Sequence, residues 1–144
     1  MAEKFLPELM PYLLQRASFL VTRRFHSEMR LKGISVSRWR MLGWLSENQP
    51  ATVSELTDHL MLKQPTVTRL IDQAAQDGLV RKKADALDGR RTLVTLTTTG
   101  LALALKLREE ARAADRHLVD RLGQERAAAF KCDLRKVIGD FDLE

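Results

Sequence analysis

A short stretch of this 144-residue chain concentrates basic side chains that could bind a polyanion. Residues 81–83 are Arg-Lys-Lys and residues 90–91 are Arg-Arg, and the acidic residues between them are Asp85 and Asp88. Guanidinium and ammonium groups form charge-assisted hydrogen bonds with phosphate oxygens. Because Asp88-Gly89 is a turn signal that can close a β-hairpin, we expect these cations on the strands and tip of a hairpin.

A second group of polar side chains lies on the helix predicted just before this hairpin. Pro65 suits the first turn of that helix, and Gly78 supplies a left-handed stop. Apolar residues recur at the spacing of one buried helical face, at Val67, Leu70, Ile71 and Ala74. The outward residues are mostly short polar or basic ones, namely Gln64, Thr66, Thr68, Arg69, Asp72 and Gln73. An α-helix fits the major groove of DNA, where such side chains can contact base edges.

The segment before this helix predicts another, shorter helix. Residues 52–55 have the spacing of a capping box, in which the Thr52 hydroxyl accepts from the Glu55 amide and the carboxylate reaches back. After the two helices, residues 79–83 and 92–97 have the composition of two strands, and Gly100 is expected to end the strand region. Two short helices followed by a basic hairpin are typical of a winged helix-turn-helix.

Two helices are predicted before this region. The apolar spacing over residues 5–31 predicts a first helix, whose regular part starts near Pro11 and ends before Gly33. Ser37 is expected to cap a second helix, which closes before Asn48, Gln49 and Pro50.

Two long helices are predicted at the C-terminal end. Residues 101–122 and the segment after Gly123 carry apolar residues in alternating steps of three and four. The terminal helices together carry more apolar surface than a lone hairpin-bearing domain can cover, which predicts a homodimer. The fold class expected is mainly α with a small β-hairpin wing, a winged helix-turn-helix with N- and C-terminal dimerisation helices.

Composition and charge restrict the class of protein. Hydrophobic residues are 44% of the chain and charged residues 30%, which excludes a disordered or low-complexity chain. The net charge is +5 and the isoelectric point is about 9.7, which favours an acidic partner such as nucleic acid.

No apolar run is long enough to cross a membrane, and no secretory leader is visible, so we expect a cytoplasmic protein. The single Cys132 excludes an internal disulfide.

Three segments together resemble the multiple-antibiotic-resistance regulator (MarR) family. The hairpin resembles the family's wing signature at 88–91, 94–97 and Gly100. Residues 66–70 and 78–80 resemble its recognition helix and the exit from that helix. The entry into the second helix matches at residues 33–35, Trp39 and Leu42. The resemblance covers nearly the whole chain in a consistent order.

This resemblance implies a homodimeric transcriptional regulator, in which the first and the last two helices form the dimer interface. We expect one domain over residues 1–144, with a DNA-binding lobe at 37–100 and dimerisation helices at 5–32 and 101–144. Two recognition helices would lie about 34 Å apart, which predicts a pseudo-palindromic operator in double-stranded DNA. Repression is the commoner mode of regulation in the family.

The resemblance also assigns DNA contacts. It places Arg90 in the minor groove, with Arg91 supporting it or contacting the backbone, and we expect Asp88 to orient one of these arginines through an ion pair. The predicted DNA-binding residues are Lys63, Gln64, Thr66, Thr68, Arg69, Lys82, Lys83, Asp88, Arg90 and Arg91.

Many relatives release DNA when a small phenolic or aromatic acid binds. The residues of this chain that match the family's pocket region are Arg16, His26, Arg38, Trp39, Arg40 and Trp44. Cations among them suit a carboxylate, and the indoles suit an aromatic ring. Each type also has an ordinary structural role, because aromatic side chains fill helix cores and arginines form ion pairs.

Other chemistry has little support in the sequence. The three histidines are far apart and no HExxH or CxxC spacing occurs, so we expect no metal site and no cofactor. Cys132 lies between Lys131 and Asp133 and is expected to be an inert thiol. No nucleophile elbow or phosphate-binding loop is present, so an enzyme is not expected. The alternative function is a basic helical interaction protein that binds nucleic acid without sequence specificity.

Overall fold

The computed structural model describes residues 5–142. Within this range, seven helices and three short strands follow one another. They are α1 (Phe5–Glu8), α2 (Met10–Leu31), α3 (Val36–Asn48), β1 (Ala51–Thr52), α4 (Val53–Leu60), α5 (Gln64–Gln76), β2 (Val80–Ala84), β3 (Thr92–Leu96), α6 (Thr98–Leu122) and α7 (Gln124–Phe141). The prediction of a mainly α chain with a small β wing is confirmed.

The end of α2 follows the prediction, and the start of α3 corrects it. Gly33 has a φ of 75°, and its amide donates to the Arg30 carbonyl while the Ile34 amide donates to Met29, which ends the helix in a Schellman arrangement. Ser35, not Ser37, caps α3, because its hydroxyl oxygen accepts from the amide of Arg38 at 3.2 Å. Both serines have a suitable side chain, but only Ser35 has the extended backbone of an N-cap.

The two short helices are stabilised as the sequence predicts. Thr52 caps α4, and its capping box with Glu55 is complete in both directions. Helix α5 has Pro65 in its first turn and buries the predicted apolar face, Val67, Leu70, Ile71 and Ala74. Gly78 has a φ of 71°, as expected for the residue after the helix end.

The wing belongs to a three-stranded antiparallel sheet with the order β1-β3-β2. Strands β2 and β3 form the predicted hairpin, in which Lys82 is opposite Val94. The sequence predicted two strands and missed β1, which has only two residues and pairs Thr52 with Leu93. This pairing holds the start of α4 against the base of the wing.

The exit from β3 differs from the prediction. Gly100 does not end the strand region, since it lies in the first turn of α6. The Thr97 hydroxyl donates to the Gly78 carbonyl at 2.6 Å and accepts from the Gly100 amide at 3.0 Å. These bonds join the end of α5, the end of β3 and the start of α6.

The chain divides into two compact units. One unit, residues 23–110, contains the core of the helix-turn-helix and its wing, with Met41, Leu42, Leu56 and Val94 fully buried. The other consists of residues 5–22 and 111–142, where Lys131 of α7 pairs with Asp115 of α6 at 2.7 Å.

Many large apolar side chains of the terminal helices are exposed in the single chain. They are Phe5, Leu6, Leu9, Met10, Leu13, Phe19, Leu20, Val21, Leu31, Leu101, Leu105, Phe130, Val137, Ile138 and Phe141. Among residues 5–142, no helix combines the length and the apolar character that a membrane span requires.

Candidate nucleic-acid interface

The polar face of α5 is exposed along its first two turns. Lys63 occupies the N-cap position, and Gln64, Thr66, Thr68 and Arg69 all lie at the surface. The opposite face of the helix is buried, so these side chains have a fixed direction relative to the core. The predicted residues of α5 thus form one exposed polar row at the N-terminal end of a helix.

A groove of about 660 Å³ joins α5 to the wing. Its lining includes four predicted residues, Gln64, Thr68, Arg90 and Arg91. It also includes residues that the sequence analysis missed, Thr52, Val53, Ser54, Glu55 and Thr92. The capping box predicted the start of α4, but the pairing of β1 with β3 is what brings that start beside the wing.

Two aspartates organise the loop at the tip of the wing. Asp85 Oδ1 accepts from the Leu87 amide at 3.0 Å, and Asp88 Oδ1 accepts from the Arg90 amide at 3.1 Å. The ion pair expected of Asp88 is instead made by Asp85, whose Oδ2 lies 3.8 Å from Arg91 Nε. Asp88 acts on the main chain because its carboxylate closes a local turn two residues ahead.

The two lysines of β2 differ in their surroundings. Lys82 forms an ion pair with Asp72 of α5, which links the wing strand to the neighbouring helix. Lys83 is exposed on the same strand. Their predicted contacts with DNA phosphates stay a prediction, and the ion pair gives Lys82 a second role in the free protein.

The capping box of α4 stabilises one wall of the groove, and its contribution is expected to depend on pH. Hydrogen bonds from the Thr52 amide and hydroxyl hold the pKa of Glu55 below its ordinary value of 4.5, with a further contribution from Arg91. The ionised carboxylate therefore stabilises the fold above pH 4.5, and this stability is lost as the pH falls through the lowered pKa.

Replacing Thr52 by alanine is expected to lower the free energy of unfolding by about 1 kcal/mol.

Glu55→Gln keeps a side chain that can complete a capping box but removes the titration. Urea unfolding at about pH 6 and about pH 3 should show a smaller loss of stability on acidification for Glu55→Gln than for the wild type. An equal loss of stability in both proteins would show that the Glu55 carboxylate does not cause the pH dependence.

Three of the predicted ligand-binding residues, Arg38, Trp39 and Trp44, have structural partners within the chain. Arg38 is 19% exposed and pairs with Asp77 at 2.7 Å. Trp39 packs edge-on against Phe25, with ring centroids 5.3 Å apart, and Trp44 stacks on His59 at 3.5 Å. Each side chain thus has a structural role beside the predicted one.

Two further features of this region concern its polar groups. The indole Nε1 atoms of Trp39 and Trp44 are buried and have no hydrogen-bond partner among residues 5–142. Burial and the cations of Arg40 and Arg30 lower the pKa of His26, which favours its neutral form. Arg16 belongs to the other compact unit, where it is exposed.

The described part of the chain, residues 5–142, contains no cluster of three or more His, Cys, Asp or Glu side chains that could hold a metal ion. Cys132 is an exposed thiol on α7.

A helix-turn-helix whose second helix faces a basic wing is a winged helix DNA-binding module. The pattern that describes the MarR family matches residues 32–91. The HTH-type transcriptional repressor IacR of Pseudomonas putida is 31% identical over 112 residues, which cover 77% of this chain and 67% of that protein.

Solved structures agree with this similarity. The crystal structure of a MarR family transcriptional regulator from Silicibacter pomeroyi DSS-3 has a TM-score of 0.87 and 32% identity, covering 96% of this chain and 99% of that one. NadR in complex with 4-hydroxyphenylacetate has a TM-score of 0.82, covering 95% of this chain and 96% of that one. Its 22% identity shows a shared fold alone. The chain belongs to the MarR family of DNA-binding transcriptional regulators and is not an enzyme.

Proposed function

We propose that this protein is a homodimeric repressor that binds a pseudo-palindromic operator and leaves it when a small aromatic or phenolic acid binds. The observation that carries the proposal is the groove in which Gln64 and Thr68 of α5 face Arg90 of the wing. A helix in the major groove and an arginine in the adjacent minor groove would contact neighbouring parts of one half-site.

The remaining predicted contacts have separate roles in this proposal. Thr66 and Arg69 contact base edges or phosphates from α5, while Lys63 and Lys83 contact phosphates at its edges. Asp88 keeps the Arg90 main chain in place through its hydrogen bond. Phosphate contacts position the protein, and base contacts supply the specificity.

Exposed apolar side chains support the dimer. Helices at residues 5–32 and 101–144 form the dimerisation region in this proposal, and residues 37–100 form the DNA-binding lobe. Large contiguous apolar surfaces on a soluble protein mark interaction sites, and a two-fold axis would pair each surface with its own copy.

Light scattering at micromolar concentration should give twice the mass of 16.4 kDa. A monomeric mass would contradict the dimer.

The buried indole nitrogens support a ligand near α3. Buried polar groups normally have hydrogen-bond partners, and the N–H groups of Trp39 and Trp44 have none in the described part of the chain. A phenolic acid supplies acceptor oxygens, and Arg40 is an exposed cation that could bind its carboxylate. A phenolic acid, 4-hydroxyphenylacetate, is the ligand named for NadR.

Binding to DNA tests the function directly. The purified protein is mixed with the duplex upstream of its own gene and with a scrambled duplex of equal length at about 150 mM salt. Specific recognition predicts tight binding to the first duplex only. Equal binding that disappears as salt rises would favour the non-specific interaction protein.

A titration with aromatic acids tests the release. The ligand must bind the DNA-free form more tightly, since only a difference in affinity shifts the equilibrium between two forms. We expect one acid to quench Trp fluorescence and to release the operator duplex. Trp39→Phe and Trp44→Phe keep an aromatic ring but remove the donor, so at least one should weaken acid binding. Unchanged fluorescence and unchanged DNA binding across the panel would exclude this site.

A further inference from the structure

The tip of the wing presents an apolar side chain that the DNA contacts described above do not use. Leu87 lies in the loop between β2 and β3 and is 97% exposed. No other large hydrophobic side chain among residues 5–142 is as exposed. It lies three residues before Arg90, on the part of the wing that extends furthest along the hairpin from the core.

The loop that carries Leu87 is held in place by hydrogen bonds at both ends. The Asp85 amide donates to the Arg91 carbonyl at 2.9 Å, and the Arg91 amide donates to the Asp88 carbonyl at 2.9 Å. Asp85 also accepts from the Leu87 amide through a side chain that is 13% exposed. The main chain at Leu87 is therefore organised before any partner binds, which lowers the conformational entropy lost on binding.

The charge around Leu87 favours an anionic partner. Arg81, Lys83 and Arg90 are exposed on the same wing. Contact between two such tips would bring like charges together, so a second copy of this chain is a poor occupant for Leu87. A polyanion would be attracted to the tip and would bring its own apolar surface to the leucine.

The minor groove of DNA combines these two properties. A narrow groove has an enhanced negative potential that attracts arginine, and minor-groove proteins insert leucine and other apolar side chains against base steps. We propose that Leu87 packs into the minor groove beside Arg90 and makes affinity depend on how easily the base step beneath it deforms. This inference rests on the proposed function, because it requires the wing to bind duplex DNA.

The salt dependence of operator binding separates an apolar contact from a charged one. Leu87→Ala is expected to weaken binding about tenfold, since it removes most of an apolar side chain that is buried only in the complex. Its slope of affinity against salt should equal that of the wild type, because no cation is lost. Leu87→Met is the matched control, since it keeps an apolar side chain of similar volume at the same position.

A second measurement tests the dependence on DNA shape. The operator is selected from random duplexes, and a hydroxyl-radical footprint locates the minor-groove step that the wing covers. Two operators are then compared that differ only there, one with a flexible TA step and one with a stiff AA step. The wild type and Leu87→Met should prefer TA by several-fold, and Leu87→Ala should lose most of this preference.

The outcomes distinguish this inference from the proposed function. The first outcome is that the wild type binds its operator selectively, while Leu87→Ala binds with an affinity within about twofold and keeps the TA preference. This outcome would overturn the role of Leu87 alone. Failure of the wild type to select any duplex would overturn the proposed function, and the role of Leu87 with it. Thermal unfolding of the three proteins should agree closely, because surface substitutions change stability little.

Discussion

Gly100→Ala is expected to lower the free energy of unfolding by at least about 2 kcal/mol, which places it among the more damaging single substitutions. Gly100 is buried in the first turn of α6, and a Cβ atom there would overlap the Leu79 carbonyl oxygen and lie 2.8 Å from the carbonyl carbon. The higher helix propensity of alanine offsets only part of this, about 1 kcal/mol.

The Leu79 main chain cannot move away easily, because hydrogen bonds hold it on both sides. Its amide donates to the Ala74 carbonyl at 2.9 Å, and its carbonyl accepts from the Thr97 amide at 3.0 Å. A shift would break the junction between α5, β3 and α6, which also positions the wing.

Gly139→Ala is the matched control for this prediction. Gly139 lies within α7, and a Cβ atom there would have no neighbour within 4 Å. The same substitution should therefore raise stability slightly, by up to about 1 kcal/mol. Urea unfolding of the two variants should give changes of opposite sign. Equal stability of Gly100→Ala and the wild type would contradict a steric overlap between a Cβ atom at position 100 and the Leu79 carbonyl.

Arg90→Ala is expected to weaken operator binding by roughly 1–3 kcal/mol, the free energy of one good specific contact. Arg90 lines the groove, and its main-chain amide is held by Asp88 at the tip of the wing. Removing the guanidinium should also reduce the slope of affinity against salt by about one counterion, unlike Leu87→Ala.

Arg90→Lys provides the control for charge. It keeps the positive charge at the tip of the wing but removes the planar guanidinium fork. Fluorescence anisotropy with a labelled operator should show a wild-type salt slope for Arg90→Lys and part of the affinity loss of Arg90→Ala. Wild-type affinity of Arg90→Ala would exclude the wing from the DNA contact.

Local patterns predicted the elements that carry the interface. The apolar spacing of Val67, Leu70, Ile71 and Ala74 identified the buried face of α5 and therefore its exposed polar face. These predictions succeed because they depend on residues a few positions apart, where helix geometry and turn chemistry are nearly independent of the rest of the chain.

The predictions failed where two neighbouring residues could both fill one structural role, or where an element is too short to show a sequence pattern. Ser35 and Ser37 are both possible caps for α3, and only Ser35 has the extended backbone of an N-cap. Strand β1 has two residues, too few for a period, and it exists because β3 offers it a partner. Glycine often occurs in turns, but Gly100 lies in a helix, where its lack of a Cβ atom allows close packing against Leu79.

By itself, the sequence determined the order of helices and hairpin, the polar row on α5, the basic wing and the family to which the chain belongs. Tertiary structure alone decided that the start of α4 lines the groove, that Asp85 rather than Asp88 pairs with Arg91, and that Lys82 binds Asp72. The reason is physical. Periodicity and capping follow from covalent spacing along one helix or turn, whereas the choice among several possible charge partners depends on how separate elements pack in space.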